Sequence, residues 1–214
     1  MGVYGGVTAE DRRADRRERL LDAALELLGT DGASAATVRG VCAAAGLTPR
    51  YFYESFSSID ELLVAVFDRI AAEALPVALA AADAAPHDAR AKARAALGAF
   101  AEHLLADQRR ARVAFVEALG SEALMRRRLD ALRGLAALLA DRGREFYGAQ
   151  PGTERLVDTT AYLLVGGVVE LFVAYIEGDI EAPLDELLDD LTELFVAVGE
   201  AAAALGRRRM RGGT

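Results

Sequence analysis

The side chains best placed to do chemistry lie between Thr37 and Phe56, where the chain reads TVRGVCAAAGLTPRYFYESF. Arg50 can fork onto guanine or phosphate, and Tyr51 and Tyr53 carry hydroxyl donors at the ends of long, rigid rings. Phe52 and Phe56, four residues apart, share one helical face, so a short helix seated by them leaves Arg50, Tyr51, Tyr53 and Glu54 facing outward. Thr48 suits the N-cap of that helix and Pro49 its first position, where a missing N–H costs nothing. Upstream, Val38, Val41 and Ala45 share a face of another short helix. Gly46 can take the left-handed backbone that turns the chain between the two. Two short helices around a tight turn form a helix-turn-helix, whose second helix enters the major groove of DNA.

The elements that must hold this unit are also legible. Of 214 residues 53% are hydrophobic and only five are proline. Ala, Leu, Glu and Arg dominate and no period-two alternation runs through the chain, so the fold class is all-α, with about nine helices. The pattern predicts a first helix from Arg12 to Leu28, short helices near Thr37 to Ala44 and Thr48 to Glu54, and a long one from Ser58 towards Ala82. Ser58-Ile59-Asp60-Glu61 has the form of a capping box. Further helices are expected over Asp88 to Ala106, Arg109 to Leu119, Ser121 to Tyr147, Thr153 to Ile176 and from Pro183 onward. The composition divides near Ser58. It predicts a DNA-binding domain over residues 10–57, a helical body over 58–206, and disordered ends at 1–9 and 207–214.

Other chemistries find little support. Cys42 is the only cysteine, which excludes an internal disulfide or Cys-based zinc site and reads as a small packed side chain. His87 and His103 are far apart with no zincin-like carboxylate, so neither a metal nor a cofactor is expected. No nucleophile elbow, P-loop or dinucleotide turn is present, and Asp189-Asp190 reads as a solvated face, so the chain does not read as an enzyme. The net charge of -8 argues against indiscriminate coating of nucleic acid but leaves room for a local basic face. The alternating Arg12 to Arg19 stretch reads mainly as a solvated helix face. No signal peptide is evident, and the apolar stretch Ala161 to Ile176 is shorter than the roughly 20 residues of a membrane span, so a cytoplasmic protein without a membrane partner is expected.

Three pieces, RERLLDAALELLGTDG, the TVRGVCAAAGLTPRYFYESF unit and SSIDELLVAVF, closely resemble the TetR family of bacterial transcription regulators over about Arg16 to Leu63. The resemblance implies a three-helix DNA-binding domain, a divergent helical domain that binds a small-molecule effector, and a homodimer built by the last two helices. It implies that Thr37 and Tyr53 contact phosphate, that Arg39 contacts phosphate or base, and that Thr48, Pro49, Arg50 and Tyr51 lie at the groove of double-stranded DNA. Ile59 departs from the pattern, since many relatives have a phosphate-binding lysine after the linker serine. The first 60 residues hold seven arginines against nine acids, so binding should rest on a few well-placed arginines.

In the body, the helix from Thr153 is apolar nearly all round and the last helix carries a leucine stripe. Leu163, Gly166, Gly167, Leu171, Leu187, Leu191, Leu194 and Phe195 are therefore the expected dimer surface. Phe67, Phe100, His103, Leu104, Phe115, Glu117, Met125 and Tyr147 are the candidate lining of an effector cavity, apolar with a few polar groups. The alternative is a helix-turn-helix regulator controlled by a protein partner, with an exposed apolar groove in place of a closed cavity.

Overall fold

The computed structural model describes residues 8–117, 121–148 and 152–212, with side chains to 210. Among them it has nine helices and no strand: α1 (Ala9–Asp31), α2 (Val38–Ala44), α3 (Pro49–Tyr53), α4 (Ile59–Ala84), α5 (Ala89–Leu105), α6 (Gln108–Phe115), α7 (Glu122–Tyr147), α8 (Glu154–Glu177) and α9 (Leu184–Gly212). The all-α class follows as expected.

Helix ends explain where the sequence reading shifts. The predicted disordered arm at 1–9 gives way at Thr8. Its hydroxyl accepts from the Asp11 N–H at 3.0 Å while the Asp11 carboxylate accepts from the Thr8 N–H at 2.9 Å, a reciprocal cap that starts α1 at Ala9 instead of Arg12. Residues 1–7 lie outside the described set. Ser58 caps as expected, accepting from the Glu61 N–H at 3.2 Å, but Glu61 reaches back to the Ser57 N–H at 2.7 Å and not to Ser58. The predicted disorder is corrected over 207–212 too, because α9 continues to Gly212; residues 213 and 214 lie outside the described set. Gly206 is buried against Thr153 inside the helix, and the arginines after it are good helix formers, favoured at a helix C-terminus.

The contacts divide the chain into two units: residues 1–72 with 107–127, and 73–106 with 128–214. The sequence boundary at Ser58 does not anticipate that α6 belongs with the first unit. Gly29 explains it. A Cβ there would lie 2.3 Å from the Arg109 Cβ, so only glycine lets α1 and α6 come this close. Arg109 bonds the Glu26 carboxylate, and the Glu117 carboxylate accepts from the Ala33 N–H at 3.2 Å. Leu20, Ala24, Leu28, Val41, Phe52, Phe56, Leu62 and Val66 are buried to 2% exposure or less in this unit.

In the second unit, α9 packs on α5 and α8. Arg94 of α5 binds Asp185 at 3.0 Å and Asp189 at 2.7 Å; Asp189 is paired there and, like Asp190, stays exposed, as the solvated-face reading expects. Ala136, Ala140, Ala161 and Val165 form a buried α7–α8 cluster. Pro76 stands inside α4 and removes the hydrogen bond to the carbonyl four residues back, Ala72, where the units divide.

The apolar helix is longer than its hydrophobic run. At 24 residues, α8 is long and apolar enough to cross a membrane by length and composition, correcting the expectation that it falls short. The added length comes largely from the first turns, where Leu156 and Val157 stand among Glu154, Arg155 and Asp158.

Candidate nucleic-acid interface

The turn between α2 and α3 is built by backbone bonds. The Leu47 N–H donates to Cys42 O at 2.8 Å and the Gly46 N–H to Ala43 O at 3.2 Å, the paired bonds of a Schellman motif. Gly46 supplies the required left-handed residue, with φ 63°. Thr37 caps α2, its hydroxyl accepting from the Gly40 N–H at 3.1 Å. Thr48 occupies the N-cap of α3 in extended backbone, yet its hydroxyl makes no cap bond. That hydroxyl keeps its full hydrogen-bonding capacity for a phosphate or base edge, whereas Thr37 can still donate its own proton outward.

Phe52 is fully buried and Phe56 nearly so, their ring centroids 5.9 Å apart. They seat α3 as its spacing predicts. Thr37, Arg39, Thr48, Pro49, Arg50, Tyr51 and Tyr53 are all exposed, so each of the seven expected contacts is open to solvent. Tyr53 is the most open of the tyrosines here at 60%. Its edge contact with Phe52, centroids 5.3 Å apart, fixes the ring while leaving the hydroxyl outward.

The sequence reading missed what braces this face. Arg13 donates to the Glu54 backbone oxygen, and Arg19 donates to Ala45 O at 2.7 Å. Arg16 binds the Glu54 carboxylate at 3.2 Å and lies 4.5 Å from the Tyr51 ring centroid, while Arg17 stacks 4.3 Å over Phe56. Four arginines read as a solvated face therefore clamp α1 to the turn and to α3. The i, i+3 spacing of Arg13, Arg16 and Arg19 was the available signal, but the partners are 26 to 41 residues away, beyond what local pattern can supply. Glu54 also meets Arg50 Nε at 3.5 Å. One carboxylate thus sets the pose of both a brace and the principal candidate for base reading.

Cys42 is buried against this unit, and burial pushes its thiol pKa up, as its packing role implies. Ile59, where relatives of the expected type carry lysine, is half-buried and offers no phosphate contact.

Residues 20–66 match the family model for bacterial regulatory proteins of the TetR family. Over those residues the chain is similar to the TetR family. Solved structures similar to most of the chain agree in fold. The fatty acid degradation regulator FadR from Bacillus halodurans is 20% identical, with 84% of this chain and 94% of that chain covered at a TM-score of 0.69. The transcriptional regulator FadR from Bacillus subtilis, solved with stearoyl-CoA, is 18% identical, with coverages of 85% and 98% at 0.71. A TetR family transcription regulator from Marinobacter aquaeolei VT8 is 20% identical, with coverages of 88% and 97% at 0.59. No curated protein matches the chain in sequence.

The body residues sort less simply. Phe67, Phe115, Glu117 and Met125 belong to the first unit, and Phe100, His103, Leu104 and Tyr147 to the second. Glu117 is committed to Ala33 and to Arg112, at 3.2 and 2.8 Å, so its carboxylate pins the loop after α1 instead of awaiting an effector. Phe100 stacks edge-on against Phe172, and the His103 Nε2 stands 3.8 Å from the Glu73 carboxylate. Tyr147 alone of the eight lines the cavity between α7, α8 and α9. Among the expected dimer residues, Leu163, Gly166, Gly167 and Leu194 are exposed. Leu187 and Leu191 are instead buried in their own chain, where α9 packs on α5, and Leu171 and Phe195 are half-buried.

Proposed function

We propose that the protein is a cytoplasmic, homodimeric transcriptional repressor that binds an inverted-repeat operator and leaves it when a small molecule binds the helical body. The observation that carries this reading is the exposed face of α3, with Arg50, Tyr51 and Tyr53 presented together over Phe52 and braced by Arg16. Two hydroxyl-bearing rings and a guanidinium in such a pose match what a major groove offers, guanine acceptors flanked by phosphates. Net acidity elsewhere limits non-specific binding, so affinity must come from this surface used twice.

The dimer reading rests on α8 and α9. Tyr162, Leu163 and Leu194 are 56%, 63% and 65% exposed, a large apolar investment for a monomer surface. Gly166 and Gly167 have open space beside them, which lets a second backbone approach closely. Control by a small molecule draws support from the FadR of Bacillus subtilis, solved with stearoyl-CoA, and from a cavity in this chain's second unit. Selection of bound DNA from a random pool tests the core of the reading. The expected product is two inverted half-sites about one helical turn, or a multiple, apart; enrichment of no sequence, or of a single unpaired half-site, contradicts it.

A further inference from the structure

The cavity between α7, α8 and α9 has a volume of about 150 Å³. An apolar space of that size accepts one benzene ring. Leu139, Leu156, Leu164 and Phe195 supply its apolar walls, and between Phe195 and Arg207 α9 gives it room by presenting only small residues, Gly199, Ala202, Ala203 and Gly206. A leucine at position 203 would fill the space, and an empty one forfeits packing contacts along all its walls.

The polar groups around the cavity are of one kind. Arg144, Arg207 and Tyr147 line it, together with two threonines, and no carboxylate does. Arg144 is held by Asp141 and Asp158 through its two terminal nitrogens, which fixes its position and leaves its Nε–H uncommitted. Arg207 is exposed and has no ion-pair partner among the described residues. The Tyr147 hydroxyl makes no hydrogen bond among the described residues, and a Cβ at Gly199 would come within 3.1 Å of its oxygen. Glycine there preserves the space around the phenol. Burial first, and Glu200 second, raise the Tyr147 pKa, so the phenol keeps its proton and acts as a donor.

We propose that this cavity binds a compact aromatic carboxylate, its ring against the apolar wall beside Ala203 and its acid group met by Arg207 and the Tyr147 hydroxyl. A guanidinium and a phenol complement a carboxylate, whereas an amine or a metal ion would find no anionic partner on the lining. For its effect on DNA the inference rests on the ligand-responsive reading; the binding itself does not.

The test uses the full chain without DNA and benzoate as probe, with toluene and benzyl alcohol as comparators, read by titration calorimetry and ligand-observed NMR. Benzoate should bind once per chain. Ala203→Leu should abolish binding of benzoate and toluene while leaving the helical spectrum and melting temperature at or above those of the unaltered protein. Arg207→Gln should weaken benzoate by roughly tenfold or more and leave toluene unchanged. Failure of benzoate to bind, binding to Ala203→Leu at unaltered strength, or an Arg207→Gln variant that treats benzoate as before overturns the proposal. Because no DNA is present, those failures leave the operator reading untouched, and a failure to select DNA leaves the ligand site untouched.

Discussion

Exchanging glycine for alanine inside a helix ordinarily stabilises a protein by about 0.5–1 kcal/mol, because alanine restricts the unfolded chain and favours helical backbone. At Gly29 the sign should reverse. A Cβ there would meet the Arg109 Cβ at 2.3 Å and the Arg109 Cα at 2.6 Å, and the second of these is backbone, which cannot rotate out of the way. Overpacking costs roughly 1–3 kcal/mol, and a clash with backbone belongs in the upper part of that range. After subtracting the propensity gain, Gly29→Ala should destabilise by about 1–2 kcal/mol. Gly134 of α7 has nothing within 4 Å of its missing Cβ, so Gly134→Ala provides the matched control and should stabilise. Urea unfolding followed by circular dichroism reads both as shifts in midpoint at constant slope. Since α1 also carries Arg13 and Arg16, which hold Glu54, operator affinity should fall in Gly29→Ala and not in Gly134→Ala. A Gly29→Ala variant as stable as Gly134→Ala would refute the close α1–α6 approach.

Three further outcomes are expected. Leu163→Glu with Leu194→Glu should convert a dimer to monomer at micromolar concentration by sedimentation, while circular dichroism stays helical, because both side chains are already exposed in the single chain. The Arg109 side-chain hydrogen bond holds the Asp107 carboxyl below its usual value, so its stabilising contribution is complete above the ordinary aspartate pKa of about 3.9 and is lost as pH falls through the lowered folded value. Acid unfolding of Asp107→Asn should be less steep in that window than that of the unaltered chain. Cys42, 3% exposed with its pKa raised by burial, should react with an aromatic disulfide reagent at neutral pH only at the rate of unfolding.

The sequence foretold what local pattern controls. The turn at Gly46, the cap position of Thr48, the seating of α3 by Phe52 and Phe56 and the outward set from Thr37 to Tyr53 all depend on residues within about one helical turn of each other. Long-range pairing was hidden. Nothing local says that Arg16 will choose Glu54 and Tyr51, or that Gly29 exists to admit Arg109. The body was less legible for a related reason. Aromatic residues drew attention as cavity candidates, yet Phe100 is taken up by Phe172, and the space lies where α9 runs out of large side chains. An absence of bulk at Gly199, Ala203 and Gly206 looks in sequence like ordinary helix, and the leucine stripe that contains Leu187 and Leu191 gives no sign of which leucines face their own chain.

Reading of DNA by α3 through Arg50 is tested most directly by operator affinity. With the selected site, fluorescence anisotropy at fixed salt should show Arg50→Ala binding weaker by about 1–3 kcal/mol, roughly 5- to 150-fold, with preference relaxed at one base pair of each half-site and sedimentation unchanged. Unaltered affinity and unaltered base preference in Arg50→Ala would contradict the account.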